Sequence, residues 1–93
     1  MNSYEVLYII DSALDEEAVN ATIAKYESLV TGSGGSVEKT EKWGKRKFTY
    51  PINHKEEGYY VLMTFTAPSQ LPRELERQMR IADEVMRFLV VRK

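Results

Sequence analysis

The sequence predicts an α+β ferredoxin-like sandwich, with element order β-α-β-β-α-β and two helices on one face of a four-stranded antiparallel sheet. Two observations lead there. Four segments alternate apolar and polar residues at the two-residue period of a strand, and two intervening segments repeat apolar residues at spacings of three and four. Each helical segment has one apolar stripe to bury, so both helices lie on one face of the sheet and the other face has none.

The first strand is "SYEVLYII", residues 3–10, with Tyr4, Val6, Tyr8 and Ile10 on one face and Glu5, Leu7 and Ile9 on the other. A helix follows, with Asp15 as its N-cap and Glu16 and Glu17 in the first turn, where negative charge meets the helix dipole. Its stripe is Val19, Ile23, Tyr26 and Val30; Gly32 stops it near Thr31, and "GSGG" makes the turn. The second strand runs from Val37 to about Ile52, long for a strand, with Gly44 marking a bulge and Pro51 an edge or an end. "NHKEEG", residues 53–58, reads as a hairpin loop before the third strand, "YYVLMTFTA", residues 59–67. Ser69 is the expected cap of the second helix, whose stripe is Leu71, Leu75 and Met79, with Pro72 tolerated in its first turn. The last strand is "MRFLVVRK", residues 86–93. The expected core sets Val6, Tyr8, Val61, Met63, Phe65, Phe88 and Val90 against Ile23, Tyr26, Val30, Leu75 and Met79. The face without helices carries Leu7, Ile9, Tyr60, Leu62, Leu89 and Val91, and an uncovered apolar sheet face marks a partner or ligand site unless its apolar residues are scattered singly.

Ninety-three residues make one domain, 1–93, and 43% apolar content is enough for it to fold alone. There is no cysteine, so neither a disulfide frame nor thiol chemistry is expected. The N-terminal apolar run "VLYII" is too short for a secretory signal or a membrane span, which predicts a soluble cytoplasmic protein with no membrane partner. The net charge of −1 hides an asymmetry: residues 1–38 hold one Lys against seven acids, and residues 39–93 hold twelve Lys or Arg against seven. Such a polarised surface suits docking on a polyanion with one side, although many ordinary domains are polarised too.

Catalysis is not expected. His54 is a lone loop histidine beside Lys55 and Glu56, and no His, Cys or carboxylate spacing fits a metal, so no cofactor is predicted. "GSGG" follows a helix, so its amides are not placed to hold phosphate. The fold also carries RNA-recognition motifs, but "EGYYVLMTF" lacks the spaced aromatics those use, and Leu62 and Leu89 suit a protein partner better than a base. Basic residues gather at Lys39, Lys42, Lys45, Arg46 and Lys47, and again at Arg80, Arg87, Arg92 and Lys93. Arg suits phosphate through its planar fork, while charge on an edge strand also guards against aggregation.

Four blocks carry a resemblance: "SYEVLYII", "WGKRKFTYPI", "EGYYVL" and "MRIADEVMRFLVVR", in this order and spacing. Together they resemble the bacterial small-subunit ribosomal protein six family over nearly the whole chain. Phe48 and Thr49 stand where the family usually has Leu and then Ser or Ala, a conservative change, and Asn2 and Ser3 stand where many relatives are basic, which weakens an N-terminal phosphate contact. Tail-based modification is not expected, since the sequence stops at Lys93 before the acidic tail of many members. The resemblance implies a structural, non-enzymatic ribosomal protein that is a monomer when free. Its implied partners are the central domain of small-subunit rRNA and the eighteenth small-subunit protein. It further implies that Arg80, Arg87 and Arg92, and with them Arg46 and Lys47, contact RNA, and that Leu7, Ile9, Tyr60, Leu62, Leu89 and Val91 are covered by the protein partner. A domain of net charge −1 would bind RNA weakly alone, which partner-assisted binding explains. Two other classes use this fold: a small acylphosphatase-like hydrolase, against which the acidic "DSALDEE" argues because it lacks a phosphate-cradling arginine, and a ligand-binding regulatory module that dimerises through its sheet.

Overall fold

The computed structural model describes residues 1–52 and 55–93, with side chains for all of these except residues 49–52, 55 and 56. Its elements are β1 (Asn2–Asp11), α1 (Glu16–Gly32), β2 (Ser36–Ile52), β3 (Lys55–Ala67), α2 (Leu71–Ile81) and β4 (Val85–Arg92). The strands form one antiparallel sheet in the order β2-β3-β1-β4, so the expected sandwich is the observed one and β2 and β4 are its edges.

Asp15 caps α1 as expected, its carboxylate accepting from the Ala18 amide at 2.8 Å. The helix ends one residue later than predicted. Gly32 is its last residue, and the chain reverses at Gly34, whose φ of +91° lies in the left-handed region. Ser69 does not cap α2. The helix begins at Leu71, its N-cap position is Gln70 in a helical conformation, and the Ser69 hydroxyl sits 3.5 Å from the Gln70 amide oxygen instead of reaching the first turn. Residues 53–58 are not all loop. Lys47 pairs with Glu57 and Arg46 with Gly58, so hairpin pairing continues past the polar residues that suggested a turn. His54 lies outside the described residues. The last strand starts at Val85, and an irregularity between Ile9 and Ile10 in its pairing with β1 turns Val85 into the core.

The core lies between the helices and one sheet face, where Val6, Tyr8, Val61, Met63 and Phe65 meet Ile23, Tyr26, Val30, Leu75 and Met79. Phe88 and Val90 pack against its margin and remain half-buried, because β4 is an edge. Each fully buried aliphatic or aromatic side chain of this kind stabilises the fold by about 1.5–3 kcal/mol relative to exposure. The helix layer is also tied to β2 by polar contacts: Thr40 Oγ1 donates to Glu27 Oε2 at 2.6 Å, and Lys42 Nζ to Asn20 Oδ1 at 2.7 Å.

Tyr8 and Tyr26 meet edge to face at a centroid distance of 5.5 Å, and neither buried hydroxyl has a hydrogen-bond partner among the described residues. Burial, with the nearby Glu84 carboxylate second, raises the Tyr26 phenol to about 12, and burial raises Tyr8 further, with Glu27 and Tyr26 adding to it. In the unfolded chain both phenols ionise near 10. The folded state therefore binds more protons between pH 10 and 12, and stability is complete below pH 10 and falls as pH rises through that window. Thermal unfolding followed across the window should show this loss, and Tyr8→Phe should flatten it.

Candidate functional site

The sheet face away from the helices is built by register. Leu62, Leu7 and Leu89 form one cross-strand row through β3, β1 and β4, and Tyr60, Ile9 and Arg87 form the next. Thr64, Glu5 and Val91 make the third, with Lys93 Nζ 4.0 Å from the Glu5 carboxylate. No helix crosses these rows, and Leu89 is 62% and Val91 42% exposed. Ile9 is 9% exposed, so the centre of this face is already sheltered by neighbours.

That shelter comes from β2. Its pairing with β3 shifts between Lys42, opposite Val61, and Gly44, opposite Tyr60. One residue, Trp43, is extra, and Gly44 takes a φ of +85° at the bulge. Side-chain alternation reverses there. Arg46, opposite Gly58, is brought onto the uncovered face, whereas Lys45 turns to the helix side and lines a cleft of about 260 Å³ with Leu14, Asp15, Glu16, Val19 and Tyr59. The Trp43 ring stacks on Tyr60 at 6.5 Å and 9°, the Arg46 guanidinium lies 5.2 Å over Trp43, and the Phe48 ring is 6.2 Å from Tyr60. Flat guanidinium and flat indole attract through the ring quadrupole, which holds Arg46 beside the apolar rows. Among the described residues neither Arg46 nor Arg87 forms an ion pair.

The arrangement offers adhesion and anion contact. A second concavity, about 500 Å³ between the end of α1 and the start of α2, is lined by Leu29, Leu71, Pro68 and their neighbours, with Glu74 as its ionisable residue. Glu74 is already engaged: hydrogen bonds from Arg77, at 2.6 and 2.9 Å, and then from Gln78 hold its carboxyl down at about 2.

A family model described as Ribosomal protein S6 matches residues 3–92. The chain belongs to the ribosomal protein S6 family. It is 53% identical over 91 residues to the small ribosomal subunit protein bS6 of Clostridium novyi, covering 98% of this chain and 96% of that one. The bS6 protein of Clostridium acetobutylicum is 46% identical over the same shares. A crystal structure of 30S ribosomal protein S6 from Thermotoga maritima superposes with a TM-score of 0.93 at 29% identity, over 99% of this chain and 87% of that one.

Within this S6-family fold the six apolar residues Leu7, Ile9, Tyr60, Leu62, Leu89 and Val91 share the uncovered face. The five basic residues do not share one surface. Arg46 and Arg87 flank the apolar rows. Lys47 follows Lys45 past the bulge, opposite Glu57. The Arg80 guanidinium covers the Phe88 ring at 5.8 Å on the helix side, and Arg92, opposite Tyr4, donates to Asn2 Oδ1 at 2.9 Å. Sequence reasoning missed Trp43 and Phe48 as members of the face. The signal was present in "WGK", because a glycine bulge reverses every later alternation, but the consequence needs the register of the neighbouring strand. Because Leu89 is mostly exposed, Leu89→Ser should change stability by no more than about 0.5 kcal/mol in denaturant unfolding, as expected for surface substitutions.

Proposed function

We infer that this chain acts as a single domain over residues 1–93 that binds the central domain of small-subunit rRNA together with the eighteenth small-subunit protein, and that it is a monomer when free. As a member of the S6 family it is a structural component of the small ribosomal subunit, located on cytoplasmic ribosomes, and not an enzyme. One observation carries the finer reading: an apolar sheet face without helices, bordered by Arg46 and Arg87. Leaving Leu89 and Val91 in water forgoes burial worth about 25 cal/mol per Å², and a protein partner laid across the rows recovers it. The arginines at the border then meet phosphate, where a planar fork makes two parallel hydrogen bonds. Arg80, Arg92 and Lys47 extend the basic surface around the β4 edge and the far end of β2, so RNA is expected to pass the rim of the protein complex and not the centre of the sheet.

Leu62→Asp places a charge in the middle of the first apolar row. Pull-down of the partner protein should be lost while the far-ultraviolet dichroism of the helices is unchanged; retained capture would sink the face assignment. Arg87→Ala should lower assembly on a central-domain rRNA fragment about tenfold or more, the size of one charge-assisted hydrogen bond, without loss of folding. Sedimentation of the free chain as a stable homodimer would favour the regulatory-module reading instead.

A further inference from the structure

We propose that Gly58 is a positioning residue: its missing side chain is the seat on which Phe48 rests, and this seat holds the distal part of β2, with Trp43 and Arg46, in a fixed pose over the uncovered face. The proposal rests on the docking reading above only in supposing that a partner meets that pose.

Gly58 sits where the sheet narrows. It pairs with Asp11, the last residue of β1, and with Arg46 of β2. Beyond it β2 and β3 continue as a two-stranded ribbon, and such a ribbon is marginal in water without packing against something else. The packing available is side-chain contact back onto the sheet. A Cβ built on Gly58 would stand 2.8 Å from Phe48 Cζ and would overlap Ile9 Cγ2. Phe48 thus leans diagonally across the strand pair, over the bare glycine backbone, toward Ile9 and Tyr60. The requirement is for space and not for backbone conformation, since positive φ occurs at Gly34 and Gly44 and not at Gly58. The contacts are consecutive: Phe48 meets Tyr60, Tyr60 stacks on Trp43, and Trp43 carries Arg46. An alanine at 58 overlaps both neighbours, so the Phe48 ring must leave and the Ile9 side chain must shift as well, and the ribbon loses its anchor.

Trp43 is the only tryptophan of the chain, so its fluorescence reads the pose directly. In the free protein, Gly58→Ala should shift Trp43 emission to the red, ease its quenching and speed amide exchange over residues 43–48, with the exchange of α1 and α2 unchanged. Phe48→Ala keeps the glycine and should give the same Trp43 change, and the double variant should add nothing further. Unchanged Trp43 emission in either single variant overturns the proposal, and Phe48→Ala decides it if Gly58→Ala does not fold. With the pose released, partner capture should weaken about tenfold through lost preorganisation. Full capture despite a shifted Trp43 signal would overturn the docking reading and leave the positioning role standing.

Discussion

One extra residue in an edge strand decides what the sheet displays. Without the bulge at Trp43 and Gly44, simple alternation would send Lys45 and Lys47 to the uncovered face and Arg46 and Phe48 toward α1. Three basic positions and Phe48 would then exchange sides, and the apolar rows would face lysines on flexible stems. With the bulge, the Arg46 guanidinium lies over the Trp43 ring, and Phe48 closes the side of the face that β4 cannot reach. The backbone conformation that makes this possible, φ of +85° at Gly44, is one that a residue with a Cβ adopts only at a cost.

The helix side has a different logic. There the sheet, α1 and α2 exclude water, and almost all the buried residues are apolar. Thr22 is the polar exception among the described residues, and it returns its hydroxyl to the Ala18 carbonyl one turn back. The two buried phenols cost desolvation with no hydrogen-bond partner among the described residues, but their rings fill the space between β1 and α1 that a smaller residue would leave empty. Lys42, by contrast, belongs to this side, where its ammonium donates to Asn20.

Most of the architecture was legible because it depends on local periodicity. The stripe Val19, Ile23, Tyr26 and Val30 could be nothing but the inner face of a helix, and Asp15 before Glu16 and Glu17 announced its start. The six apolar residues of the open face followed from period-two alternation in β1, β3 and β4, none of which reverses within the rows concerned. What depended on two strands at once was not legible. Alternation alone separates Arg46 from Lys47, but the register of β2 against β3 determines which of them reaches the uncovered face, and no single-strand pattern contains that. The continuation of the hairpin through Glu57 and Gly58 was hidden because charged residues and glycine read as a turn unless the opposite strand is known to be equally long. The missing cap of α2 had a similar origin: Ser69 has the right chemistry, but the helix begins one residue too late for it to serve.

β4 closes the sheet on one side with its outer row of amides and carbonyls unpaired by any strand of the described residues, and its middle, Phe88 to Val91, has no charge or proline to blunt it. A freshly synthesised copy therefore offers every neighbouring copy both a sticky rim and a greasy panel. Until that panel is covered, the tendency of such copies to clump with their own kind is set by how many of them share the same volume.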